Sequence, residues 1–260
     1  MEQFVCLSGL PRSGSTLLSA ILSQNPLIHA EGNSAVCQLM WDMQQSCLTS
    51  AKEQLLANGR ENTTMHDLIS QIPSIYYKHI SEKIVVDKCR SWTIHANIAM
   101  LEKYIDKNFK IIILERSVTD IVKSFVKLYK KNGVSGDIEN NLLLPNTEPL
   151  MRSIAGVNWA KKNNQQKNFL FLTYDDLIGS TEETIKKIYD FCGWEYFAHN
   201  FKNVECKYPE DDTVYGLKGM HKIRNTIDKQ DNSTVLSLKT IEKCKQIDNL
   251  TGIINKSNGL

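Results

Sequence analysis

The sequence predicts an α/β fold of three layers, in which helices cover both faces of a central parallel sheet. Four short apolar runs, each suited to one buried strand, recur along the 260 residues. Segments with apolar residues at helical spacing separate these runs, and such alternation is typical of parallel strands joined by right-handed crossovers. The length suits one domain with a sizeable core, so we predict a single domain over residues 1–260.

Composition narrows the classes of function. Lys and Arg number 31 against 29 Asp and Glu, and a net charge of +2 gives no long-range field that would favour a nucleic-acid partner. The seven cysteines are scattered, and no Cys or His group has metal-ligand spacing, so we expect reduced thiols and no metal site. We find no secretory signal and no run of about 18 apolar residues, which predicts a soluble, cytoplasmic protein without a membrane span.

The first predicted strand and helix enclose a glycine-containing loop. Apolar residues 4–7 predict the strand, and the spacing of leucine and isoleucine predicts a helix over 15–22. Between them, GLPRSGST is close to the phosphate loop G-x-x-x-x-G-K-[ST], except that Ser15 stands in place of the lysine. Glycines let backbone N–H groups approach a phosphate, and the following helix directs the positive end of its dipole at the anion.

The remaining elements follow in strand and helix order. Further strands are predicted at 83–88, 110–116 and 168–177. Helices are predicted at 94–104, 119–131, about 149–161 and 181–192. Residues 37–81 and 132–147 are less regular, and we interpret both as insertions. Because ligands of open parallel sheets bind at the carboxyl ends of the strands, these insertions are candidates for the walls of a substrate site.

The strand predicted at 110–116 ends in LERSVTDIVKSF, where a Mg²⁺-dependent nucleotide hydrolase would place an aspartate. Arg116 emerges there instead, and Ser124 lies roughly two helical turns into the next helix, so both can address one phosphate. Without other motifs, an Arg and a Ser at this spacing are more often an ion-paired surface arginine and an ordinary helix serine than a phosphate site. Combined with the loop, it indicates two phosphate sites on neighbouring strand ends.

These motifs resemble those of the sulfotransferase family. Its members carry the loop P-[KR]-S-G-[ST]-T, matched by residues 11–16, for the 5′-phosphosulfate of 3′-phosphoadenosine 5′-phosphosulfate (PAPS). They also carry an Arg and a Ser, matched by Arg116 and Ser124, for the 3′-phosphate. The resemblance spans residues 4–195 and implies a P-loop nucleoside-kinase-like fold. Leu17 after the loop is similar to the tyrosylprotein, heparan-type and bacterial branches, whereas cytosolic small-molecule enzymes usually carry tryptophan there. The implied donor-binding residues of the loop are Arg12, Ser13, Gly14, Ser15 and Thr16.

The resemblance also implies a reaction. A sulfuryl group passes from PAPS to a hydroxyl or amine acceptor by in-line displacement, without a metal, and adenosine 3′,5′-bisphosphate is the product. Lys88 resembles the lysine that stabilises the leaving group in the tyrosylprotein branch, and Arg12 and the loop amides supply further positive charge. Without that context, Lys88 is a strand-end lysine paired with Asp87.

The general base has three candidates. Glu31, in HAEGN after the first helix, is the first choice by position. The glutamate of the tyrosylprotein branch aligns without gaps two residues later, with Asn33. His29 and His95 are the alternatives, since a histidine base serves the small-molecule branch, although each is commonly a plain core or surface histidine.

Two further matches concern donor binding. The stretch YGLKGMHKIRNTIDK, residues 215–229, contains Lys218, Lys222, Arg224 and Lys229 against the single acid Asp228. It resembles the basic loop that family members close over the 3′-phosphate, so we predict a donor-covering segment near 213–229, with a solvated basic turn as the alternative. Tyr174 resembles a donor-binding tyrosine, but a tyrosine covering the core is as consistent with its position.

Two other functions remain open from the sequence. An ATP- or GTP-dependent kinase could use the same loop with Asp87 as the Mg²⁺ ligand, and a non-catalytic nucleotide-binding module would keep both phosphate sites. The sequence does not identify the acceptor among carbohydrates, lipids, peptides and small metabolites, nor the oligomeric state.

Overall fold

The computed structural model describes residues 1–163, 167–228 and 233–252. Its centre is a sheet of five parallel strands in the order β2-β3-β1-β4-β5. The strands are β1 (Gln3–Gly9), β2 (Ile28–Asn33), β3 (Ile84–Lys88), β4 (Ile111–Glu115) and β5 (Phe169–Thr173). Helices flank the sheet, so the predicted α/β class with a central parallel sheet is confirmed.

The α-helices of the described residues follow the strands as the alternation predicts, with additional short helices between them. They are α1 (Ser15–Leu22), α2 (Val36–Leu48), α3 (Lys52–Ala57), α4 (Thr63–Ser70), α5 (Ile72–Tyr76), α6 (His95–Tyr104), α7 (Val118–Lys131), α8 (Ile138–Leu142), α9 (Met151–Lys162), α10 (Tyr174–Gly179), α11 (Thr181–Cys192) and α12 (Leu238–Thr251). Short 3₁₀ turns cover Arg90–Thr93 and Asp212–Tyr215.

The two faces of the sheet carry separate apolar cores because successive side chains of a strand point to opposite sides. Val5 and Leu7 of β1 pack in one core with residues of α1 and α11. Cys6 and Ile113 pack in the other, with residues of α2, α6, α7 and α9. All five residues of β4 are buried, which explains why this strand is a continuous apolar run until its final glutamate.

The strand order places the site. The chain goes from β1 outward to β2, returns to β3 beside β1, and then crosses β1 to reach β4 on its other side. β1 is therefore the point at which the winding reverses, and a crevice forms there beyond the carboxyl ends of the strands. Leu7 pairs with Lys88 of β3, and Gly9 pairs with Leu114 of β4. The ends of β1, β3 and β4 thus meet at one edge.

Several predicted elements need correction. The segment predicted as a strand over 168–177 ends as a strand at Thr173, because the Thr173 hydroxyl accepts a hydrogen bond from Asp176 N at 3.0 Å and starts α10. Strand β2 was missed, because IHAEGN is short and its last three residues are polar or glycine. Residues 37–81, interpreted as less regular, contain α3, α4, α5 and all but the first residue of α2. Helix α12 was not predicted.

Helix α12 ties the C-terminal part of the chain to the site. Asp248 Oδ1 accepts a hydrogen bond of 3.0 Å from Val118 N at the start of α7. Lys161 of α9 donates at 2.7 Å to Glu115, the last residue of β4, and at 3.1 Å to the carbonyl of Thr251. These bonds fix both sides of the turn between β4 and α7, which carries Arg116.

Two general features concern the protein's environment. Each of the seven cysteines has a free thiol. Among the described residues, the helices are all too short or too polar to span a bilayer.

Candidate active site

The loop between β1 and α1 depends on two glycines. Gly9 has φ 131°, and a β-carbon there would lie 2.1 Å from the carbonyl oxygen of Leu114, so only glycine allows β1 and β4 to approach this closely. Gly14 caps α1 with φ 92°, and a β-carbon would lie 2.9 Å from the ring of Tyr174. No side chain caps α1. Its first-turn amides are therefore available to an anion in the crevice.

Arg12 lies in this loop with φ 59°, a left-handed conformation that costs energy for a residue other than glycine. Its Nε donates a hydrogen bond of 3.0 Å to Ser124 Oγ on α7, and its Nη1 donates to the carbonyl of Met220. Burial, followed by the nearby charge of Arg116, lowers the pKa of the Arg12 guanidinium. The strained backbone thus directs a half-buried guanidinium across the crevice.

Arg116 follows β4 and points into the same crevice. Its Nη1 donates to the carbonyl of Arg12 at 2.9 Å, and its guanidinium carbon lies 4.1 Å from the centre of the Tyr174 ring, a cation–π contact. The Nε of Arg116 is buried and has no hydrogen-bond partner among the described residues. An unpaired buried N–H is unfavourable by about 1–3 kcal/mol, so this nitrogen is suited to an incoming acceptor atom.

Lys88 ends β3, and only 5 % of its surface is exposed. Its Nζ lies 3.3 Å from Glu210 Oε1 and 3.5 Å from Thr16 Oγ1. Burial lowers the pKa of the Lys88 ammonium group, while the charge of Glu210 opposes that effect. The ammonium group is therefore held beside the start of α1.

Asp87 points to the opposite face of the sheet from Lys88. It is fully buried, and its carboxylate accepts hydrogen bonds from Tyr77 Oη at 2.8 Å and from Trp92 Nε1 at 2.6 Å. Burial raises the pKa of this carboxyl group. Asp87 does not line the crevice. Its side chain instead holds Tyr77 and Trp92 by hydrogen bonds and is not directed at a ligand of the loop after β1.

The crevice is strongly basic. Of the described residues that line it, six are Lys or Arg, and the only Asp or Glu is Asp228. The basic residues are Arg12, Lys88, Arg90, Arg116, Lys222 and Arg224. Because the whole chain is nearly neutral, this local excess of positive charge makes the crevice a candidate anion site.

The structure brings most of the predicted donor-binding residues to this crevice. Those that line it are Arg12, Gly14, Ser15, Thr16, Arg116, Tyr174 and Arg224, and the predicted catalytic residue Lys88 lines it as well. Ser13 is buried beneath the loop, where its hydroxyl donates to the carbonyl of Leu10 at 2.6 Å. Ser124 does not line the crevice, and its hydroxyl accepts the hydrogen bond from Arg12 Nε.

The predicted donor-covering segment is divided. Residues 220–224 line the crevice. Lys218 is exposed and lines a neighbouring cleft, and its backbone N–H donates to Asn132 Oδ1 at 2.7 Å. Lys229 lies outside the described residues.

The three candidates for the base lie outside the crevice. Glu31 lines a small side cleft, with its Oε2 3.2 Å from His29 Nε2 but without hydrogen-bond alignment. His29 is buried against the rings of Tyr77 and Tyr208. His95 is exposed and stacks on Trp159 with ring centres 4.4 Å apart.

A cluster that the sequence analysis missed lies beside Lys88. His221 lines the crevice, and its Nδ1 lies 2.6 Å from Asp212 Oδ1 and 3.4 Å from Glu210 Oε2. Glu210 in turn contacts Lys88. The sequence PEDDTVYGLKGMHK gave a weak signal, since its carboxylates precede a histidine that lies among basic residues, but nothing in it shows proximity to β3.

Comparison with known proteins shows the family and the fold. A model of the sulfotransferase family matches residues 5–198. No curated protein matches the chain. Among solved structures, the sulfotransferase domain of the curacin biosynthetic pathway has a TM-score of 0.58 and 19 % identity, with 96 % of each chain covered.

Two further structures share the fold. The sulfotransferase domain of the Synechococcus PCC 7002 olefin synthase has a TM-score of 0.56 and 19 % identity, covering 94 % of this chain and 93 % of that one. A mouse sulfotransferase complexed with PAP has a TM-score of 0.56 and 15 % identity, covering 99 % and 86 %. At these identities the structures show the P-loop-kinase-like fold. The family model covers most of the sequence, and on that basis the chain belongs to the sulfotransferase family.

Proposed function

We propose that this protein transfers a sulfuryl group from PAPS to a hydroxyl or amine acceptor. The observation that carries the proposal is the crevice itself, whose described lining residues include six Lys or Arg and one carboxylate around the open loop after β1. PAPS carries a phosphosulfate at one end and a 3′-phosphate on its ribose, so it needs positive charge at two places. The mouse structure complexed with PAP, which is adenosine 3′,5′-bisphosphate, supports this choice of donor.

The described residues fit such a donor. Arg116 has a buried Nε without a partner, and a 3′-phosphate oxygen would satisfy it. The uncapped amides of α1, together with Thr16, suit the phosphosulfate end. Arg12 reaches from the loop to Ser124, so one guanidinium serves both predicted phosphate sites.

The chemistry follows from the placement of charge. The bound donor supplies the sulfuryl group and leaves as adenosine 3′,5′-bisphosphate. Lys88 lies beside Thr16 at the loop and can meet the negative charge that develops on the bridging phosphate oxygen. Arg12 and the loop amides hold the donor in line with the acceptor, so positioning and fixed charge provide the catalysis without a metal.

The kinase alternative receives less support. It needs Asp87 as a metal ligand, but the Asp87 carboxylate accepts hydrogen bonds from Tyr77 and Trp92 on the other face of the sheet. A non-catalytic binding module would not need a buried ammonium group such as that of Lys88 beside the loop.

Thermal unfolding with two ligands tests the donor. We expect adenosine 3′,5′-bisphosphate at a hundredfold excess over its Kd to raise Tm by about 5 °C or more, because it binds only the folded chain. ATP with Mg²⁺ should raise Tm less, because it has no 3′-phosphate for Arg116. Stabilisation by ATP with Mg²⁺ and not by the bisphosphate would contradict the proposal.

A further inference from the structure

We propose that His221, oriented by Asp212, is the general base that takes the proton of the acceptor. This inference rests on the proposed sulfuryl transfer and deepens it, because the residue comes from the C-terminal segment and not from the positions that the family resemblance suggested. The starting observation is that none of Glu31, His29 and His95 lines the crevice, whereas His221 does.

The ring of His221 is held in one orientation. Its Nδ1 lies 2.6 Å from Asp212 Oδ1, and its backbone N–H donates to Asp212 Oδ2 at 3.0 Å, so one carboxylate binds the residue twice. When Nδ1 carries the proton shared with Asp212, Nε2 keeps its lone pair and can accept another. The side chain is only 12 % exposed, so the surrounding segment limits its rotation.

His221 and Lys88, the proposed leaving-group lysine, both contact the carboxylate of Glu210. Glu210 Oε1 is 3.3 Å from Lys88 Nζ, and Glu210 Oε2 is 3.4 Å from His221 Nδ1. The Glu210 carboxylate therefore lies between His221, the proposed base, and Lys88, the proposed leaving-group cation. In-line transfer needs these two functions to lie close together, on opposite sides of the reacting sulfur.

The position expected from the tyrosylprotein branch cannot supply a base. Asn33 lines the crevice there, and its amide does not accept a proton at neutral pH. Glu31, two residues earlier, lies in the side cleft and faces His29. A different segment must provide the base.

The charges around His221 leave it suited to this role. Lys88 faces it from β3, and Glu210, Asp212 and the ring of Tyr215 face it from its own segment. Burial, followed by the charge of Lys88, lowers the pKa of His221 below its usual 6.5, although the two carboxylates oppose this. The ring is therefore neutral near pH 7.

The proposed step balances as a simple displacement. The acceptor oxygen or nitrogen forms a bond to sulfur while the bond from sulfur to the 5′-phosphate oxygen breaks. His221 Nε2 takes the proton of the acceptor, and the electron pair of the broken bond leaves with the bisphosphate, whose charge faces Lys88. Asp212 stabilises the imidazolium that results.

The test compares donor binding with turnover. Binding of adenosine 3′,5′-bisphosphate is measured by calorimetry, and ³⁵S-labelled PAPS is followed with water, a primary alcohol and 4-nitrophenol as acceptors. We expect His221→Asn to lower the turnover rate by about 100-fold or more, with Kd within about threefold, because asparagine can still bond to Asp212 but cannot take the proton. Asp212→Asn should lower the rate by about 10-fold or more, because the tautomer is no longer fixed.

The pH profile provides a second measurement. The wild-type rate should fall on acidification with an apparent pKa below 6.5, and His221→Asn should lose that limb. His66→Asn is the matched control, since His66 also neighbours an aspartate, with Nδ1 3.7 Å from Asp67, but is exposed on α4. It should keep wild-type rates.

The outcomes separate the two proposals. Wild-type protein that turns over PAPS, with His221→Asn within threefold of its rate, overturns the base assignment alone. A loss of bisphosphate binding equal to the loss of rate also overturns it, since His221 then serves the structure of the segment. Wild-type protein that binds no bisphosphate, or turns over no PAPS with any of the three acceptors, overturns the proposed function and the base together.

Discussion

Arg12 and Arg116 show how the site is built at the scale of single residues. Arg12 adopts a left-handed backbone, and its carbonyl accepts a hydrogen bond from Arg116, while its guanidinium extends to Ser124. Two half-buried cations are thereby placed in one crevice, and an anion bound there would offset their mutual repulsion. The buried Nε of Arg116 has no hydrogen-bond partner among the described residues, which suits it to bind such an anion.

The role of Arg116 can be tested by its selectivity for the 3′-phosphate. We expect Arg116→Ala to weaken binding of adenosine 3′,5′-bisphosphate by about 10- to 100-fold, the effect of losing charge-assisted hydrogen bonds. Binding of adenosine 5′-phosphate should change by less than about threefold, because that ligand lacks the group that Arg116 contacts. Both affinities are measured by calorimetry.

Arg60→Ala is the control for this prediction, since Arg60 is exposed and lies outside the crevice. It should leave both affinities unchanged. Equal losses for the two ligands in Arg116→Ala would mean that Arg116 supports the loop through the Arg12 carbonyl rather than binding the 3′-phosphate.

At the scale of elements, α7 begins with a cap supplied by another helix. Ser117 precedes α7 without making a side-chain cap, and Asp248 of α12 accepts the hydrogen bond from Val118 N instead. A carboxylate suits the positive end of a helix. Burial, followed by the charge of Asp120, nevertheless raises the pKa of Asp248 to about 6.

The raised pKa predicts a dependence of stability on pH. An acid whose pKa is higher in the folded state favours folding while it is protonated, and this contribution is lost as the pH rises from about 4 through 6. Asp248→Asn keeps an acceptor oxygen for Val118 without the ionisation. We expect this variant to gain about 1–3 kcal/mol of unfolding free energy at pH 7.5.

Urea unfolding at pH 4 and pH 7.5 measures the effect, which should shrink toward zero at the lower pH. Asp67→Asn is the control, because Asp67 is exposed and should give little change at either pH. A variant that is less stable than the wild type at pH 7.5 would show that the charge of Asp248 on the dipole of α7 outweighs its burial.

At the scale of the whole molecule, the site joins three strand ends to a segment that is distant in the sequence. The loop after β1, Lys88 of β3 and Arg116 after β4 meet because β1 lies between β3 and β4. Residues 220–224 line the same crevice, and Glu210 contacts Lys88 at its edge. Residues 210–228 consist largely of turns and have few backbone hydrogen bonds of their own.

Hydrogen exchange tests this arrangement. We expect adenosine 3′,5′-bisphosphate to slow amide exchange in residues 12–17 and 220–228 together, since a ligand between them orders both. Residues 63–76 of α4 and α5 do not line the crevice and serve as the internal control. Slowing in residues 12–17 alone would mean that the C-terminal segment does not cover the donor.

The predictability of the site differs from part to part. The positions of the loop after β1 and of the turn at Arg116 were predicted from the sequence, because each lies where a strand meets a helix and both elements have clear periodicity. Strand β2 lacks an apolar run, so its end at Asn33 was not recognised as part of the edge that forms the site. Residues 174–177 were assigned to a strand because the Thr173 cap is a local hydrogen bond that hydrophobicity does not reveal.

The α/β class and the relation to sulfotransferases could be read from the amino-acid sequence, which also predicted the phosphate loop and the pair of Arg116 and Ser124. These depend on short-range patterns, since strand periodicity, helix periodicity and loop spacing are all set within a few turns of chain. Only the tertiary structure decided that Lys88 meets Glu210, 122 residues away, and that His221 rather than Glu31 lines the crevice. The reason is physical: the order of strands in the sheet and the path of a non-periodic segment arise from packing between distant residues, for which the local sequence carries no signal.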